Sequence, residues 1–169
     1  GLFFKINDIT DLLRSIELIG WTMILFGVFL FFSDQFGNTK KRANHWNYRD
    51  SIIMGVFQVL ALIPGVSRSG ITISGARLLG YQKYDAIRLS MLMSIPTILA
   101  SGALLIPGLL NGTNTVSLLE LFVSFIVSFF SAMLALSILI KFLSALSFTP
   151  YIIYRIALGF FLLWQNFNC

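Results

Sequence analysis

The chain has 169 residues, of which 57% are hydrophobic, 15% aromatic and only 11% charged. Soluble domains carry about one quarter charged residues, and a mean hydropathy of +0.85 over the whole length excludes one buried helix as its source; several membrane spans are expected. The formal net charge of +5 is no sign of nucleic-acid binding, because the basic residues gather in short loops between apolar runs, where the positive-inside rule places them.

Residues 1–15 mix polar and apolar types, with Lys5, Asp8, Asp11 and Arg14. The chain opens at Gly1 with neither methionine nor a charged leader followed by a short apolar core. It reads as an N-terminally truncated fragment, a single membrane domain over 1–169. Cys169 is the one cysteine, so no disulfide framework forms within the chain. A bilayer core takes about twenty apolar residues to cross, and Ile16 to Ser33, with Glu17 at its edge, is the first such run. Residues 34–50 form a polar loop with Lys40, Lys41, Arg42 and Arg49 against Asp34 and Asp50; His45, beside Trp46, reads as a solvated interface residue.

The apolar run 51–63 is too short to cross. Pro64-Gly65 stops it, since proline lacks a donor and disfavours helix in the residue before it. A second short run extends from about Gly70 to Gly80. Two half-length helices around a polar break, over about 51–80, describe either a broken span or a re-entrant hairpin. Loop charge favours the hairpin. It puts Arg77, Lys83 and Arg88 on the same side as loop 34–50, leaves the uncharged loop 108–116 on the other, and returns Lys141 to the basic side. Ala86 to Pro107 is the next span, with Pro96 expected to kink it. Ser117 to Ile140 follows, and Pro150 to about Asn166 is the last, with Tyr151, Tyr154 and Trp164 as interfacial anchors. The expected fold is an all-α, multi-span membrane bundle.

The break itself, PGVSRSGIT over Pro64–Thr72, carries the chemistry. An arginine at membrane depth is costly and usually lines a cavity with a partner. Arg68 keeps its charge, and its planar fork suits carboxylate or phosphate. Ser67, Ser69 and Thr72 supply three hydroxyls; Gly65 and Gly70 let the backbone approach a ligand. The second half-helix begins around Ser69, so free N–H groups and the positive dipole end face the break. Together these make an anion cradle of the phosphate-binding kind. The plainer alternatives are an arginine paired with a buried acid or carbonyls, and a serine that only caps the helix. No base adjoins the serines to make one a nucleophile. Gln58 either lines the site or bonds between helices. Asp50 shares its helical face and reads as a site residue or, more simply, as the helix N-cap. Gly70 with Ser74 and Ala76 with Gly80 mark close packing of the second half-helix. Arg155, a second charge inside an apolar run, snorkels or pairs with a carbonyl. Glu120 suits the first turn of its helix. With a single histidine and no clustered acids, no protein-only metal site is expected.

GVFQVLALIPGVSRSGITI, Gly55 to Ile73, strongly resembles the second signature of the bacterial undecaprenyl-diphosphate phosphatases, also called bacitracin-resistance proteins. Further resemblance runs through SMLMSIPTILASG and IIYRIALGFFLL. The resemblance implies a membrane enzyme of the bacterial plasma membrane that removes the terminal phosphate of undecaprenyl diphosphate, recycling the lipid carrier for peptidoglycan. It implies an inverted-repeat fold of which this chain is the second half. It assigns Gly65, Ser67, Arg68, Ser69, Gly70 and Thr72 to phosphate binding, with Arg68, Ser67 and Thr72 catalytic, and sets Gln58 at the glutamine preceding the signature. It further implies a divalent cation, magnesium or calcium.

The family's first signature, two glutamates spaced by four and then a serine-rich stretch with a histidine, has no match here. Met54 and Gln58 stand where the second repeat would carry those acids. The cation ligands are therefore expected in a missing N-terminal half, and the fragment alone is expected to be inactive. Expected partners are the lipid substrate and the bilayer; oligomeric state is not legible. A competing reading is a transporter or flippase of phosphorylated polyprenyl lipid, since broken helices in inverted repeats also build transporters. A lipid phosphatase using paired histidines is disfavoured by the distance of His45 from Arg68 in the chain.

Overall fold

The computed structural model describes residues 15–37, 40–111, 118–145 and 148–168. Among them the chain is almost wholly helical, with α1 (Ile16–Phe36), α2 (Tyr48–Val59), α3 (Arg68–Leu78), α4 (Lys83–Asn111), α5 (Leu118–Ala145) and α6 (Thr149–Asn168). Two compact units result: Gly1–Ser90 with Ser147–Cys169, and Met91–Leu146. The polar opening segment 1–14 and Cys169 lie outside the described residues, as do positions 112–116 of the loop expected over 108–116.

In the first unit α1 packs along α6 and α3, and α2 packs along α3. Ile156 and Leu163 of α6 lie over Gly27 and Gly20 of α1. Leu30, Met54, Ile71, Ala76, Ile87, Phe148 and Ile152 form the buried apolar centre. The starts of α1, α2 and α3 each have a polar cap that satisfies an otherwise orphaned N–H. Ser15 accepts from Leu18 N at 3.2 Å, and Asn47 accepts from Asp50 N at 2.8 Å. The cap of α2 is thus Asn47 and not Asp50. The amide side chain reaches the orphaned N–H from outside the helix, whereas Asp50 already sits in the first turn.

Helices α2 and α3 form a hairpin. The 3-10 turn Leu60–Leu62 tightens the end of α2, and Pro64-Gly65 reverses the chain. The outer ends of the hairpin meet: Lys41 N donates to Gly80 O and Gln82 N donates to Lys41 O, both at 2.9 Å. The chain therefore enters and leaves the hairpin at one end. With 12 and 11 residues, α2 and α3 are each under about 20 Å long, short of a bilayer core of about 30 Å.

Ion pairs weld that outer end. Arg77, at the last turn of α3, donates to Asp34 Oδ1 at 3.1 Å, to Asp34 O at 2.8 Å and to Tyr81 O at 2.9 Å; Lys83 Nζ lies 3.4 Å from Asp34 Oδ2. A second knot joins Asp50 to Lys41 at 3.1 Å and to the Tyr81 hydroxyl at 2.6 Å. Burial, then the hydrogen bond to Asp50 and its negative charge, push the Tyr81 phenol far above its ordinary range.

Among the described residues three helical segments are long and apolar enough to cross a membrane: Ile16–Phe36, Lys83–Leu104 and Leu119–Ile138. The last helix, α6, has 20 residues and thus about 30 Å of length, but polar residues at both ends and Arg155 within it leave it less apolar than these three. In the second unit α5 is exposed along Leu119–Ile138. Helix α4 runs through both Pro96 and Pro107 to Asn111, past the end expected at Pro107. Proline leaves a carbonyl one turn earlier without its donor. Hydroxyls beside Pro96 bond within the helix, Ser94 to Met91 O at 2.6 Å and Thr97 to Ser94 O at 2.8 Å.

Candidate anion-binding site

The tip of the hairpin is set by Gly65 and α1. Gly65 has φ +85, a left-handed conformation that costs other residues about 1–2 kcal/mol. A Cβ there would fall 2.0 Å from Thr22 Oγ1, so only glycine fits. Thr22, buried on α1, donates to Pro64 O at 2.7 Å. One face of α1 thereby fixes the turn that presents the motif.

Beyond the turn, Ser67 caps α3 by accepting from Gly70 N at 3.1 Å. Its Oγ also lies 3.3 Å from Ser69 Oγ and 3.0 Å from the Tyr151 hydroxyl of α6. Arg68 opens α3 with a half-buried side chain. Gly70 is buried against α6: a Cβ on it would lie 3.1 Å from Arg155 Nη1. Arg155, only 4% exposed, donates from Nη2 to Gly65 O at 2.7 Å and lies 5.9 Å from the centre of the Tyr151 ring.

A helix N-terminus, two serine hydroxyls and the Arg155 guanidinium are thus gathered at the hairpin tip, where Arg68 opens α3. The dipole end and the free amides favour an anion there, and forked guanidiniums bind phosphate oxygens in pairs. Of the residues singled out in the sequence, Gly65, Ser67, Arg68, Ser69 and Gly70 stand together at this tip. Thr72 is turned inward. It is 1% exposed, donates to Arg68 O at 2.9 Å, and meets Ser90 Oγ of α4 at 2.5 Å. Its hydroxyl holds the first turn of α3 against α4. Asp50 spends its carboxylate on Lys41 and Tyr81. Gln58 is half-buried on α2, just before the 3-10 turn. Sequence reasoning passed over Thr22 and took Tyr151 for an interfacial anchor; a hydroxyl buried in an apolar helix was the one available signal.

The donor set suits an anion and not a divalent cation. Magnesium and calcium are held by carboxylate and carbonyl oxygens, and the tip presents cations and hydroxyls. Among the described residues no three His, Cys, Asp or Glu side chains cluster to hold a metal. The residues at this site therefore do not fit the implied cation, and it takes no step in the chemistry derived from them.

The family model for bacitracin resistance protein BacA matches residues 1–161. An undecaprenyl-diphosphatase of Ruegeria sp. (strain TM1040) is 48% identical over 164 residues, which is 97% of this chain and 61% of the relative. One of Dinoroseobacter shibae is 49% identical over 163 residues, 96% of this chain and 61% of the relative. A more distant one, of a Nocardioides species, is 41% identical over 146 residues, 86% and 53% of the two chains. The chain thus spans about three fifths of the length of its nearer matches. With nearly all of its length matched by the family model, the chain belongs to the bacitracin resistance protein BacA family.

Proposed function

We propose that the hairpin tip holds the diphosphate head of undecaprenyl diphosphate and that the protein hydrolyses it to undecaprenyl phosphate and inorganic phosphate. The setting is the bacterial plasma membrane, where this reaction recycles the lipid carrier for peptidoglycan and confers bacitracin resistance. The observation that carries the reading is the cradle itself: Ser67, Arg68, Ser69 and Arg155 at one capped helix N-terminus, in a chain whose relatives are named undecaprenyl-diphosphatase.

In the reaction a water oxygen bonds to the terminal phosphorus, the bridging P–O bond breaks, and the proton the water gives up passes to the phosphate products or to solvent. Negative charge grows on the departing bridging oxygen and stays spread over the equatorial oxygens. Arg68, Arg155 and the α3 amides hold those oxygens, and catalysis follows to the extent that they hold the transition state more tightly than the ground state. The prenyl tail stays in the lipid among the apolar helices. The proposal extends to a divalent cation, magnesium or calcium, held by carboxylates elsewhere in a protein of the relatives' length.

Phosphate release tests the reading. Purified full-length protein in lipid vesicles should release inorganic phosphate from undecaprenyl diphosphate. Movement of the intact lipid across the bilayer without release would make it a transporter instead.

A further inference from the structure

Tyr151 and Arg155 lie four residues apart on α6 and so share one helical face. Arg155 bonds to the Gly65 carbonyl of the motif, and Tyr151 meets a side chain of it, its phenol oxygen 3.0 Å from Ser67 Oγ. A serine hydroxyl has one hydrogen and two lone pairs. The cap uses one lone pair of Ser67, since Gly70 N–H donates to it. Either hydroxyl can donate in the bond between Ser67 and Tyr151, and chemistry chooses. A phenol is far more acidic than an alkyl alcohol and is the better donor.

With Tyr151 donating, both lone pairs of Ser67 are filled. The hydrogen of Ser67 then donates to Ser69 Oγ at 3.3 Å, at the end of α3 that attracts anions, where a phosphate oxygen can take the place of Ser69 as its acceptor. We propose that Tyr151 is a positioning residue that fixes Ser67 as a hydrogen-bond donor to a phosphate oxygen, leaving it no lone pair to act as a nucleophile. This rests on the anion-site reading above.

The test uses full-length protein in detergent, with inorganic diphosphate as the probe and calorimetry as the readout, beside turnover of undecaprenyl diphosphate. Tyr151→Phe keeps the ring under Arg155 and removes only the hydroxyl. It should weaken diphosphate binding about fivefold, the size of one neutral hydrogen bond, while the melting temperature moves little. Ser67→Ala should weaken it at least as much, and Tyr151→Phe in the Ser67→Ala background should do nothing more, because the two effects are one.

Unchanged binding in Tyr151→Phe, or additive effects in the double variant, overturns the positioning role. Loss of all turnover in Ser67→Ala with diphosphate binding intact overturns the donor role and makes Ser67 a nucleophile. Should Tyr151→Phe not fold, Ser67→Thr carries the test, since it keeps cap and hydroxyl. Binding within twofold of the original chain supports the donor, and binding as weak as in Ser67→Ala overturns it. A parent protein that binds no diphosphate removes the anion-site reading itself.

Discussion

Gly65 is the residue with the least latitude in the molecule. Its φ of +85 and the Thr22 hydroxyl in the space of a Cβ act together. Gly65→Ala should therefore cost about 2 kcal/mol or more of stability, combining dihedral strain with a forced shift of α1. A lowered melting temperature in detergent, together with lost phosphate release, is the expected result. The motif was legible in the sequence at this scale because its physics is local. Proline stops a helix, a serine three residues before an orphaned N–H caps one, and glycine marks the reversal. Thr22 and Tyr151 were not legible as partners of that motif, for they reach it from 42 and 84 residues away, and no spacing rule links such positions. Arg155 stood out as a charge in an apolar run, and the carbonyl expected to accept from it is that of Gly65.

Among the elements, the hairpin depends on its welded outer end. Arg77 and Asp34 are 4% and 8% exposed, so removing one partner strands a buried charge. Arg77→Met should destabilise by about 3 kcal/mol, the low end for a broken buried pair, because Lys83 still faces Asp34. Asp34→Asn in the same protein should restore part of that loss. Tyr81 gives the same end a pH signature. Its folded pKa is raised above the ordinary 10.0, so the stability it contributes is complete below pH 10 and drains away as pH climbs towards the folded value. Melting temperatures from pH 8 to 12 should show Tyr81→Phe closing its gap to the parent protein only above pH 10. Neither knot was predicted. Asp34 read as a loop charge and Asp50 as a site residue or helix N-cap, because burial of such an acid depends on which distant segment folds over it.

For the molecule as a whole, composition alone announced helices in a membrane, and among the described residues three segments have the length and apolarity to cross. The pairing of Lys41 with Gly80 and Gln82 brings the loop before α2 beside the segment after α3. Single cysteines at His45 and Tyr84, both exposed, in a Cys169→Ser background, should therefore react with a membrane-impermeant reagent from the same side. Labelling from opposite sides would turn the hairpin into a crossing. The chain ends its contribution at the anion site. Two glutamates spaced by four do not occur in this sequence, which is why a pattern of acids could not be read here while the proposed anion cradle could.

The central claim is that Arg68 and the α3 N-terminus hold the diphosphate during its hydrolysis, and turnover of undecaprenyl diphosphate by the Arg68 variants measures it. Arg68→Ala should slow phosphate release by on the order of a hundredfold or more, as loss of one strong transition-state contact does. Arg68→Lys should recover little, because charge without the planar fork is not enough. Turnover near that of the parent protein in Arg68→Ala would contradict the account.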